Sequence, residues 1–110
     1  MFEKDLSQSL LLDVYGDILS ERKRAVLEMY YNEDFSLAEI ADEIGISRQG
    51  VRDIIKKAET ELHFLEDKLG FAQKFRDIQR HTDRIALLLG DLSENDPIKR
   101  ELDALTQSVT

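Results

Sequence analysis

Apolar side chains recur along this chain at helical spacing. Leu6, Leu10, Val14 and Ile18 follow one another every four residues, with Leu11 and Tyr15 beside them, and Gly16 stands where that first helix is expected to stop. Ser20 is placed to cap a second helix, because its hydroxyl can accept an orphan backbone N–H, and Glu21 lies favourably at the positive end of the helix dipole. Val26, Leu27, Tyr30 and Tyr31 give this helix its apolar face, and Asn32–Asp34 supply a break. Ser36-Leu37-Ala38-Glu39 then reads as a capping box, opening a short helix that buries Leu37, Ile40, Ala41 and Ile44. Gly45 is placed for a left-handed turn that a residue with Cβ resists, Ile46 fills the corner, and Ser47 caps the next helix.

Beyond Ser47 the pattern lengthens. Ile55, Ala58, Leu62, Leu65 and Leu69 are spaced 3, 4, 3 and 4 residues apart, a coiled-coil-like seam that Gly70 ends. Phe71, Phe75, Ile78, Thr82, Ile85 and Leu89 repeat in the same manner, with only Thr82 polar, as far as Gly90. A last helix is expected from Asp96-Pro97, since Pro suits a first helical turn; it would bury Ile98, Leu102 and Leu105 and fray after Thr106. The pattern predicts an all-α fold: a helix-turn-helix domain over residues 1–62 and a long helical C-terminal extension over 63–110. The two seams could fold back on each other within one chain or pair with a second subunit. The amount of long-helix surface favours a homodimer, with the extension as its interface, which would set two reading helices against a palindromic site.

Composition narrows the chemistry. A chain of 110 residues makes one domain, or one with an extension, and 42% apolar residues with a single Pro suit a helical bundle. The absence of Cys excludes disulfides, cysteine-zinc sites and thiol catalysis, and fits a reducing cytoplasm. No apolar run approaches the ~20 residues that span a bilayer, and the acidic flanks of the first apolar patch speak against a secretory signal. A cytoplasmic protein with no membrane insertion is expected. His63 lies one turn from Glu59 and Asp67, and His81 four residues after Asp77, but single histidines without a Cys partner read as surface residues, not metal sites. With no Gly-rich phosphate loop, nucleophile elbow or HExxH, neither an enzyme nor a cofactor is expected.

Charge sharpens the functional question. The chain carries a formal net charge of -8, of which residues 1–46 contribute -7, residues 47–61 +1 and residues 62–110 -2. A phosphate backbone would be repelled by most of this surface and attracted only locally. The one positive segment holds the second helix of the helix-turn-helix, where small Ala41 lets the helices approach and Val51 and Ile54 pack them together. In such a unit the second helix enters the major groove and its first residues reach base edges. Here these are Ser47, Arg48, Gln49 and Arg52, with Lys56 and Lys57 further along. Arg pairs with guanine, Gln with adenine, and Ser at a helix N-terminus holds phosphate. Gly50 costs about 1 kcal/mol of helix propensity but would let backbone approach a ligand. Arg22 and Lys23 are candidates for a second phosphate contact or simply a solvated helix face. The same fold also occurs in domains that bind only protein, and Asp53 and the acidic helix before the turn weigh on that side.

The stretch LSERKRAVLEMYYNEDFSLAEIADEIGISRQGVRDIIKKAETEL, Leu19 to Leu62, resembles region 4 of bacterial sigma factors. That resemblance implies promoter reading through the second helix and contact with RNA polymerase, but it covers under half of the chain and nothing else looks like a sigma factor. YYNEDFSLAEIADEIGISRQGV, with a short helix upstream and a helical C-terminal half, is similar over nearly the whole chain to the YlxM family. These are small bacterial helix-turn-helix proteins whose genes lie near those of the signal recognition particle. The resemblance implies a regulator that binds double-stranded DNA, linked to that pathway. It carries over to Ser36–Glu39, Gly45 and Ser47–Val51, with Gly50 departing from the more usual small side chain. The rival reading is a protein- or RNA-interaction adaptor for a signal recognition particle component or the polymerase.

Overall fold

The computed structural model describes residues 7–91 and 96–109; Leu6, which opens the first predicted stripe, lies outside them. The described residues form six α-helices and no strand: α1 (Ser7–Tyr15), α2 (Glu21–Leu27), α3 (Leu37–Ile44), α4 (Arg48–Leu69), α5 (Phe71–Leu89) and α6 (Pro97–Ser108). A 3-10 turn, Gly16–Ile18, follows α1, and a π-helical turn, Glu28–Asn32, extends α2. The all-α reading therefore holds. Contacts divide the chain into two units, the first ending at Gly70 and the second beginning at Phe71. The division falls later than residue 62 because α4 is one uninterrupted helix of 22 residues.

Local chemistry sets the helix boundaries. Ser20 accepts from the Lys23 backbone N–H at 3.3 Å. At α3 the capping box is closed both ways: Ser36 Oγ accepts from the Glu39 N–H at 3.1 Å, and the Glu39 carboxylate accepts from the Ser36 N–H at 3.0 Å. Gly45 takes φ +75° and Gly70 φ +67°, the left-handed caps that end α3 and α4. Asp34 ends the π-helical turn region with φ +56°, a conformation that short polar side chains tolerate.

In the first unit α4 is the axis, and α1, α2 and α3 all pack against it. Val51, Ile55, Ala58 and Leu62 give it one continuous buried face, met by Val26, Leu27, Ile40 and Ala41. Each fully buried Leu or Val of this set contributes roughly 1.5–3 kcal/mol. The seam opens beyond Leu62: Leu65 is half-buried and Leu69 exposed.

The first helix presents a different face from the one predicted. Leu10 and Val14 are only half-buried and Ile18 is exposed, whereas Leu11, Leu12, Tyr15 and Leu19 form its core face. Polar partners across the interface select this rotation. The Tyr15 hydroxyl donates to Glu66 at 2.6 Å, and the buried Gln8 side-chain amide donates to His63 Nε2. Turning α1 to bury Val14 would break both.

In the second unit α5 and α6 pack together, with Gly90 (φ +70°) ending α5 and Asp96 capping α6 through the Ile98 N–H at 2.9 Å. The expected burial of Ile98, Leu102 and Leu105 is not met: Ile98 and Leu105 are exposed and Leu102 half-buried. Two helices have only one line of contact, narrower than the apolar stripe each carries. Nor does α6 fray after Thr106; it runs to Ser108, with the Thr106 hydroxyl donating to the Leu102 carbonyl and that of Ser108 to the Leu105 carbonyl. Among the described residues no helix is long and apolar enough to cross a membrane.

Candidate nucleic-acid interface

The turn and cap place the candidate residues before any ligand is considered. Gly45 reverses the chain and Ser47 Oγ accepts the Gly50 N–H at 3.0 Å, so α4 starts with Arg48. Arg48, Gln49, Arg52, Lys56 and Lys57 are all exposed. Their spacing winds them around the first three turns, leaving Val51 and Ile55 to the core.

The apparent oddity of Gly50 has a geometric reason. A Cβ there would meet the Ile46 Cδ1 at 3.2 Å and the Ser47 Oγ at 3.3 Å. The bare Cα leaves room for the capping hydroxyl and the corner-filling Ile46 together.

Two grooves flank this part of α4. One, of about 490 Å³, is lined by Lys23 of α2 with Asp53, Lys56, Lys57 and Thr60. Three lysines from two helices thus converge, one of them, Lys23, held by Glu61 at 3.2 Å. The other, of about 540 Å³, has Tyr30, Leu37 and Ile55 together with Gln49, Arg52, Lys56 and Glu59 in its lining. The Tyr30 hydroxyl there is pushed above its ordinary pKa, first by burial and then by the Glu59 carboxylate, with the Arg52 guanidinium acting against both. Tyr31 donates to the same Glu59.

Arg22 and Arg48 are exposed and line neither groove. Gln49 is engaged within its own helix, donating to Asp53 at 3.0 Å, a bond that the four-residue spacing makes available. Arg24, by contrast, is paired with Asp17 at 2.8 Å. In the sequence Lys23 and Lys56 stand as separate candidates. Their sharing of one groove, with Thr60 in its lining, depends on how α2 lies against α4, which no local spacing encodes. Among the described residues no group of three or more His, Asp or Glu side chains is positioned to hold a metal.

Comparison with known proteins fits this architecture. Residues 2–103 match the UPF0122 family, described as "Putative helix-turn-helix protein, YlxM / p13 like". A UPF0122 protein of Bacillus mycoides (strain KBAB4) is 37% identical over 109 residues, 99% of this chain and 96% of the relative. One from Thermoanaerobacter sp. (strain X514) is 45% identical over 80 residues, covering 73% and 68% of the two chains, and one from Clostridium kluyveri is 46% identical over 79 residues, covering 72% and 71%. With the helix-turn-helix geometry on one side and these matches on the other, the chain belongs to the UPF0122 family of YlxM/p13-like helix-turn-helix proteins.

Proposed function

We propose that this protein is a cytoplasmic regulator that binds double-stranded DNA through the first three turns of α4, as a pair of identical chains. Arg48, Gln49 and Arg52 read base edges, Gly50 admits close approach of the backbone, and Ser47, Lys56 and Lys57 hold phosphates, with Lys23 and Arg22 as outer contacts. The observation that carries this reading is the cationic, exposed start of α4 beside a groove that gathers Lys23, Lys56 and Lys57. In a chain of net charge -8 this is where a polyanion meets least repulsion. Regulation connected with the signal recognition particle is the role the family resemblance suggests.

Selection from a random duplex pool tests the proposal. One sequence class should be enriched, and Arg48→Ala or Arg52→Ala should weaken binding to it by ~1–3 kcal/mol each. A pool that enriches nothing at low salt contradicts it.

The exposed acids Asp42 and Glu43 on α3, next to the turn, favour a second reading, an adaptor that docks a signal recognition particle component or RNA polymerase. A low-salt duplex selection that enriches no sequence, alongside capture of a signal recognition particle component or RNA polymerase that Asp42→Asn and Glu43→Gln weaken, would favour this second reading.

A further inference from the structure

We propose that the α5–α6 hairpin is a dimerisation unit, completing its core against the same hairpin of a second copy in a four-helix bundle. The inference deepens the two-chain arrangement proposed above and stands independently of DNA binding. Its starting point is a hairpin without a core. Among the described residues of this unit only Ala72 and Thr82 are buried, and α6 contributes none. Phe71, Phe75, Ile78, Ile85, Ile98 and Leu105 are each between 36% and 56% exposed. A unit of about 40 residues whose described residues bury no large apolar side chain lacks the stabilisation to stay folded, and oligomerisation is one of the few ways to supply it.

The seam is of the kind that pairs helices. Phe71, Phe75, Ile78, Thr82, Ile85 and Leu89 alternate spacings of 4 and 3, and Phe71 stacks on Phe75 with ring centroids 6.2 Å apart. Thr82 is buried midway, its hydroxyl satisfied by the Gln79 carbonyl at 2.8 Å.

Surface area and charge point to a second copy as the occupant. At roughly 170 Å² per large apolar side chain, the exposed parts of those six residues and Leu88 amount to about 550–600 Å². A standard interface buries about 800 Å² per partner, and in homodimers about 65% of it is apolar, so about 520 Å² is needed. The charge pattern removes the usual obstacle for a chain of net -8. Alongside the seam lie Ala72, Gln79 and Ala86 on one flank and Lys74, His81 and Leu88 on the other, with no acid among them. The acids of α5 are on its far side and locally engaged, Asp77 with Arg80 at 2.8 Å and Asp83 with Gln79 at 2.9 Å. On α5 a second copy therefore meets a seam with no flanking acid, and on α6 the exposed Glu101 is the one acid beside Ile98 and Leu105.

The mass of the full chain in solution, measured without DNA by sedimentation from low micromolar to several hundred micromolar, tests the proposal. Wild type should have twice the chain mass of 12.7 kDa. Ile78→Arg should have the mass of one chain, while Leu87→Arg, half a helical turn out of phase and 83% exposed, should stay paired. A single-chain mass for wild type throughout overturns the proposal, and so does an Ile78→Arg chain that pairs as tightly as wild type. Ile78→Ala guards against simple misfolding: it should weaken association about tenfold or more with helical circular dichroism unchanged, and unchanged association also overturns the proposal. Failure to bind DNA would leave these masses untouched, so the two proposals fail separately.

Discussion

Gly45 and Ser47 define the start of α4 by different means. Gly45 has φ +75° and open space around the position of a Cβ, so a side chain there is opposed by the backbone alone. Gly45→Ala should cost about 1–2 kcal/mol in urea unfolding. Ser47→Ala should cost about 1 kcal/mol through loss of the bond to the Gly50 N–H, and should also lower DNA affinity by loosening the end of the helix. Both residues were legible in the sequence because their partners lie within a few positions of them. Tyr30 was legible only as an apolar position, since the Glu59 and Arg52 that act on its hydroxyl come from another helix. Its raised pKa has a definite sign. Above pH 10, the ordinary Tyr value, the unfolded chain loses this proton while the folded chain keeps it, so stability falls as pH rises towards the folded value. The alkaline arm of a stability profile should be shallower for Tyr30→Phe than for wild type.

The long helix α4 joins two tasks at the scale of elements. Its first turns carry the candidate DNA contacts, and its middle holds the core of the first unit together. Leu62 is fully buried at that centre, and Leu62→Ala should cost about 2–5 kcal/mol, read as a lower urea midpoint with an unchanged slope. Helix existence and most boundaries could be read from capping residues and glycines. The face of α1 could not. Leu10, Leu11 and Leu12 stand in a row, so two stripes a third of a turn apart fit equally well, and the choice falls to Gln8 and Tyr15 reaching His63 and Glu66. The π-helical turn at Glu28–Asn32 also has no signature in local spacing. The pairing of α5 with α6 was not among the arrangements weighed for the Ile55–Leu69 and Phe71–Leu89 seams, and the exposure left on both helices is a property of the hairpin as a whole, outside the reach of periodicity.

For the whole molecule, charge decides how DNA is met. Residues 1–46 carry most of the net negative charge, so binding away from a good site should be weak and strongly dependent on salt. If Lys23, Lys56 and Lys57 each neutralise a phosphate, the logarithm of the binding constant should fall with the logarithm of salt at a slope of about -3 per chain. Lys57→Ala should reduce that slope by about 1 and weaken all duplexes alike, unlike changes at Arg48. The central claim is that the exposed start of α4 reads duplex sequence. Its most direct test is the affinity of wild type and Arg48→Ala, at one fixed salt concentration, for a duplex enriched by selection and for its scrambled counterpart. The account predicts that wild type prefers the selected duplex and that Arg48→Ala loses ~1–3 kcal/mol on it with little change on the scrambled one. Equal affinities of the two proteins for both duplexes would contradict it.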